Sequence, residues 1–160
     1  MFKSVTPLVS PGLRILILVS LTVFCNPLSG SETNDGKWRI VNYWSEWCAP
    51  CRLEIPIFNE LSVSLATSNV VILGVNFDED PMDVTLKIAE KMGIQFPVLS
   101  QEEVDALALN SPNVLPTTYL LSPSNNVVAK LVGQQSKQDI LEALTLQGLT
   151  ALAESKSTND

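Results

Sequence analysis

Residues 41–56 read VNYWSEWCAPCRLEIP, and within them Cys48 and Cys51 stand three positions apart. Immediately upstream, Trp38–Trp44 (WRIVNYW) is rich in β-branched and aromatic residues and too short for a lone helix, so it reads as a buried strand. Downstream of Cys51, Ile55, Phe58, Leu61 and Leu65 recur at helical spacing while Arg52, Glu60 and Ser64 can face water. That pattern predicts an amphipathic helix of about 16 residues. Pro56 falls inside it, where a lost backbone donor and a clash with the preceding turn predict a kink near Arg52–Pro56. The cysteine pair therefore lies where a strand gives way to a helix.

Three uses of such a pair can be weighed. Structural zinc needs four Cys or His ligands, but the chain has no histidine and three cysteines in all, so no metal is expected. The same lack removes haem attachment through Cys-x-x-Cys-His, Cys-His hydrolysis and Cys-plus-His copper sites. No cofactor is expected. A structural disulfide across two residues closes too small a loop to constrain the unfolded chain much. Redox exchange fits the position, because backbone N–H groups and the dipole at a helix N-terminus stabilise the attacking thiolate. Cys48 would attack a partner disulfide, and Cys51, one turn inside the helix, would resolve the mixed disulfide.

Further along, Val70–Val75 (VVILGV) is a continuous apolar run of the kind a doubly covered strand produces. In NFDEDPMD, Asp80 is expected to cap a second helix, with Pro81 at its first position and Asp83 near its positive end. Its apolar face is expected through Val84, Ile88 and Met92, with Gly93 ending it. The cluster Asp78, Glu79, Asp80 and Asp83 lacks the glycine and ligand spacing of a calcium loop, and reads as helix capping. A short segment at Phe96–Leu99 and a small helix at 102–109 precede TTYLLSPSNNVVAKLVG, read as two strands joined by a turn at Ser122–Asn126. Ser136 with Asp139 then opens a last helix through Ile140, Leu141 and Leu144. The order predicts an α/β fold: a βαβ unit, then a β-hairpin, in one mixed sheet flanked by helices.

The amino terminus differs in character. Lys3 and Arg14 are the only charges before Glu32, and Ile15–Phe24 is apolar. That stretch is shorter than the roughly 20 residues a membrane-crossing helix needs, so residues 1–30 read as a signal peptide or N-terminal membrane anchor. Cys25 reads as a leader residue. Residues 31–150 form the expected domain and 151–160 a polar tail. Without residues 1–30, 8 basic and 17 acidic side chains remain, a net charge of −9. Such an acidic domain argues against nucleic acid and anionic lipid as partners and for proteins or peptides. A monomer in the periplasm or another extracytoplasmic compartment is expected, where a disulfide can persist.

VNYWSEWCAPCRLEIP, GVNFDE at 74–79 and VLPTTYL at 114–120, in that order, resemble the thioredoxin superfamily and, within it, the TlpA/ResA-like extracytoplasmic thiol-disulfide oxidoreductases. The resemblance covers about residues 37–146 and implies a thioredoxin fold. It implies a cis Pro116 facing the cysteines, with Leu115, Pro116 and Thr117 forming the ledge on which substrate docks. It also implies that Glu54 accepts a proton or tunes the two thiols. Asn42 departs from thioredoxins proper, which carry a buried aspartate at that place, so any proton role passes to Glu54. Trp47 is expected to shield Cys48 and touch the partner.

Glu46 and Glu54 near the cysteines, against Arg52 as the sole nearby cation, disfavour the thiolate and predict a reductase. Disulfides of exported proteins, including apocytochromes c, are the implied substrates, and a membrane thiol transporter the implied electron donor. The alternative is a non-enzymatic binding or chaperone module that uses the Leu115–Pro116 ledge without the thiols.

Overall fold

The computed structural model describes residues 36–149. The expected leader over residues 1–30 and tail over 151–160 lie outside the described residues.

Four strands form one mixed sheet in the order β2-β1-β3-β4. β1 (Trp38–Trp44) and β2 (Val70–Asn76) run parallel, in register from Trp38 against Val70 to Trp44 against Asn76. The connection between them is α1 (Ala49–Ser64), which gives the βαβ unit. β3 (Thr117–Leu121) runs antiparallel to β1, with Asn42 opposite Thr118, and β4 (Val127–Val132) runs antiparallel to β3. The hairpin turn closes by Ser122 N–H on Asn126 O at 2.9 Å, with Asn125 at φ 61°.

Because side chains alternate along a strand, successive residues of β1 enter different clusters. Ile40, with Ile72 and Leu120, meets Phe58, Leu61 and Leu65 from α1 and its end, and Ile140, Ala143 and Leu144 from α4 (Lys137–Leu146). Val41 and Tyr43, with Val75, Tyr119 and Leu121, meet Val104 of α3 (Gln101–Ala106) and Leu107 just beyond it. At the C-terminal end of β1, Trp44 packs with Cys48, Cys51 and Ala89 of α2 (Met82–Met92). α1 continues through Pro56 to Ser64, and its buried face carries Cys51, Glu54, Ile55, Phe58 and Leu61. Ser136 and Asp139 cap α4 reciprocally, as the sequence predicts, and Ser100 with Glu103 does the same for α3.

α2 departs from expectation in two ways. Its N-cap is Pro81 and no side chain caps it, because the Asp80 carboxylate instead accepts from Asn76 Nδ2 at 3.0 Å. Its buried residues are Thr85 and Ala89, with Val84 exposed. Ile88 and Met92 of the expected face do pack, partly buried, against the cluster of Trp44, Cys48, Cys51 and Ala89, so the departure is Thr85 and Ala89 buried in place of Val84. Thr85 donates to Asp80 O and accepts from Asn76 Nδ2, so its hydroxyl is satisfied where it is buried.

Candidate functional site

Cys48 is the N-cap of α1, in extended conformation, and its sulfur accepts from Cys51 N–H at 3.2 Å. The two cysteines form a disulfide with their Cα atoms 5.3 Å apart. Cys48 retains 4% exposure while Cys51 retains 0%. Only Cys48 therefore offers an edge to an incoming partner. Pro50 stands in the first turn, where a missing N–H costs nothing.

The Leu115–Pro116 bond is cis. Leu115 packs against the cluster of Trp44, Cys48, Cys51 and Ala89, so this loop abuts the disulfide although more than 60 residues separate them in sequence. Among the described residues no backbone hydrogen bond involves Leu115, whereas Pro116 O accepts from Gly133 N–H at 2.8 Å. Pro116 is buried, and the buried Thr117 donates its hydroxyl to Val114 O at 2.8 Å, closing the loop on itself. Val114 stands exposed beside it.

Glu54 follows Cys51 by three residues on the same buried helix face. It is fully buried rather than a solvated helix carboxylate. One oxygen, Oε1, accepts from Asn42 Nδ2 at 2.7 Å, and the other, Oε2, from Gln135 N–H at 3.0 Å. Burial pushes its carboxyl up to about 7, outweighing the Gln135 and Asn42 hydrogen bonds that favour the anion. Asn42 also donates to Thr118 Oγ1 at 3.1 Å, while its own Oδ1 is buried with no partner among the described residues. The residue that cannot titrate is thus hydrogen-bonded directly to the one that can.

The turn before Cys48 is tied to the segment after β2. Asp78 accepts from Ser45 Oγ and from Trp47 Nε1, the latter at 2.9 Å. The Trp47 ring meets Phe77 edge-on with centroids 6.3 Å apart, and stays 66% exposed, an apolar platform held at its polar end. Glu46 pairs with Lys91 at 2.6 Å, and that hydrogen bond and charge hold its carboxyl below the usual range. Arg52 donates to Glu46 O. Arg52 is therefore not the sole nearby cation, but both cations are engaged with Glu46.

Residues 23–130 match the model of the AhpC/TSA family. The chain belongs to the AhpC/TSA family. Among curated relatives it is similar to the thiol-disulfide oxidoreductase ResA of Geobacillus thermodenitrificans, 35% identical over 109 residues, 68% of this chain and 62% of that protein. The chain thus spans a little over three fifths of the length of that relative. Among solved structures, StoA from Bacillus subtilis aligns with TM-score 0.56 at 20% identity, over 68% of this chain and 82% of StoA. A putative thiol:disulfide interchange protein DsbE from Chlorobium tepidum aligns with TM-score 0.57 at 24% identity, over 74% of this chain and 82% of that one. The fold of this AhpC/TSA chain is the thioredoxin fold, as its motifs imply.

The resemblance implies a ledge at Leu115 facing the cysteines, and Leu115 packs against the cluster that holds both; Glu54 shares the buried face of α1 with Cys51. Sequence reasoning did not single out Gln135, which reaches Glu54 across 81 residues, or Thr118, which reaches Asn42 across 76. Nothing local marks either one. Asp78 was legible only as part of an acidic run read as helix capping, and its actual partners lie on the cysteine turn.

Proposed function

We propose that this chain is a thiol-disulfide oxidoreductase that reduces disulfides of exported proteins through a Cys48/Cys51 dithiol-disulfide cycle. The observation that carries the reading is a disulfide at the head of α1 with one slightly exposed cysteine, Cys48, against the cis Leu115–Pro116 loop. In the reduced form, the Cys48 thiolate attacks one sulfur of a substrate disulfide, making a mixed disulfide and releasing one substrate thiolate. The Cys51 thiolate then attacks Cys48 Sγ, closing Cys48–Cys51 and releasing the second. The two protons lost from the cysteines end on the two substrate thiols, and Glu54, titrating near neutrality beside Cys51 on α1, can hold one in transit. A donor dithiol restores the reduced pair.

The ledge of Leu115, Pro116 and Thr117 docks the substrate backbone, for which the unengaged Leu115 peptide groups are suited. Trp47 supplies an apolar contact beside Cys48. Reductive direction is supported by Lys91, whose charge is paired with the Glu46 carboxylate rather than left for a Cys48 thiolate. Residues 1–30 export the domain as a signal peptide or anchor, residues 31–150 act outside the cytosol as a monomer, and 151–160 form a tail. Apocytochromes c are candidate substrates, and a membrane thiol transporter the candidate donor.

Cys48→Ser should abolish disulfide reduction, and Cys51→Ala should trap partners on Cys48 as adducts that a reductant releases. Retained reduction in Cys48→Ser would overturn the Cys48 cycle, whereas partner binding that survives in Cys48→Ser with no reduction by the wild type would favour the binding-module alternative.

A further inference from the structure

Three hydrogen bonds connect the buried carboxylate of α1 to the loop beside the disulfide. Glu54 Oε2 accepts from Gln135 N–H at 3.0 Å. The Gln135 side chain turns back and donates from Nε2 to Gly133 O at 2.7 Å. Gly133 N–H then donates to Pro116 O at 2.8 Å. Gly133 has φ +88°, a conformation that favours glycine, so the chain reverses tightly there after β4. Gln135 is only 8% exposed, and its amide is spent inside the turn it belongs to. The turn 133–135 is thus pinned at one end by the ledge proline, at the other by Glu54, and braced across its middle by one side chain.

We propose that Gln135 is a positioning residue that couples Glu54 on α1 to the Leu115–Pro116 ledge, so that the carboxylate's hydrogen bond sets where a docking disulfide substrate meets Cys48. This rests on the reading of the chain as a disulfide reductase and adds a route by which Glu54 acts on docking as well as on thiol chemistry. The polar groups facing Glu54 are Asn42 from β1, backed by Thr118 from β3, and the Gln135 amide from the segment between β4 and α4. No charged side chain contributes to its titration. Protonation of Glu54 removes the negative charge that Gln135 N–H donates to and weakens the first link, because a charged acceptor makes the stronger bond. The ledge is then held less firmly at acid pH than at alkaline pH.

The test uses the full-length chain, with insulin as the protein disulfide and glutathione disulfide as a small one that does not need the ledge. Gln135→Met keeps the backbone donor to Glu54 but removes the brace. It should raise KM for insulin by about threefold to tenfold, the scale of an unordered contact, while kcat with glutathione disulfide stays within about twofold of wild type. The wild-type KM for insulin should rise as pH falls through 7, and the variant should show a flatter profile. An unchanged insulin KM, or parallel loss with both substrates, overturns the proposal. If the variant does not fold, NMR of the wild type decides: the Gly133 and Gln135 amide shifts must titrate together with the Glu54 carboxyl carbon. A Gly133 amide that ignores that titration overturns the coupling. Wild type that fails to reduce insulin at all overturns the reductase reading instead, and the NMR titration still reads the coupling.

Discussion

Glu54 shows how one side chain serves two ends. Its carboxyl is buried on the helix face that carries Cys51, and burial lifts its pKa from the ordinary 4.5 to about 7. A raised folded-state pKa contributes stability that is fully present below the unfolded value and is lost as pH rises through the folded one. The affected window is therefore pH 4.5 to about 7, and above it the oxidised domain carries a penalty of roughly 3 kcal/mol. Glu54→Gln should remove most of that penalty. Its oxygen can accept from Gln135 N–H, and its amide can donate to Asn42 Oδ1, which has no partner among the described residues, once the Asn42 amide turns over. Urea unfolding of the two proteins should thus give similar midpoints near pH 4.5 and a more stable variant at pH 8. Equal midpoints at both pH values would show that Glu54 does not titrate between them. The potential of the pair should change in the same variant, because a protonatable group beside Cys51 is lost.

At the scale of elements, the register of β1 against β2 sets Asn42 opposite Gly74, two positions before Trp44. A Cβ built on Gly74 would stand 2.8 Å from Trp44 Nε1 and 3.0 Å from the Phe96 ring. Gly74 is also bracketed by the segment after α2, donating to Pro97 O at 2.8 Å and accepting from Leu99 N–H at 2.9 Å. The short segment at Phe96–Leu99 accordingly meets the sheet in a single bridge, Gly74 with Val98. Neither neighbour is the loose end of a flexible chain, so Gly74→Ala must push an indole or a phenyl ring. A loss of about 1–3 kcal/mol follows from such overpacking, measurable as a shift in the urea midpoint. Because Trp44 packs against both cysteines, its fluorescence should respond to oxidation in the wild type and respond differently in this variant. The disposition of α2 belongs to the same scale: buried Thr85 is chosen over Val84 because Asn76 and Asp80 satisfy its hydroxyl.

Across the whole molecule, net charge and direction of electron flow are the readable properties. The sequence carries 17 acidic against 10 basic side chains, which steers cationic partners toward it and repels anionic ones. Turnover of a lysine-rich disulfide peptide should therefore fall with added salt over the range in which the Debye length shrinks from about 30 Å to 10 Å, whereas a glutamate-rich peptide should show the reverse. The reduction potential tests the reductive reading of the molecule. A value near −270 mV, as in a general disulfide reductant, is expected, and one near −120 mV would make the chain an oxidant.

The sequence by itself determined the strand–helix junction at Cys48 and Cys51 and the order of elements. Those are local properties, written in period, in composition and in residues adjacent along the chain. The resemblance carried by VNYWSEWCAPCRLEIP, GVNFDE and VLPTTYL led to the thioredoxin fold, and the structure and relatives bear it out. Tertiary structure alone decided that Glu54 is buried, that Asn42 and Gln135 hold its two oxygens, and that Asp78 and Lys91 anchor the turn before Cys48. Each of those partners lies at least 12 residues away, and most lie more than 30, on elements that only the folded sheet brings together. A carboxylate's spacing along a helix shows which face it shares. Whether that face meets water or an asparagine from a neighbouring strand depends on what the rest of the chain packs against it.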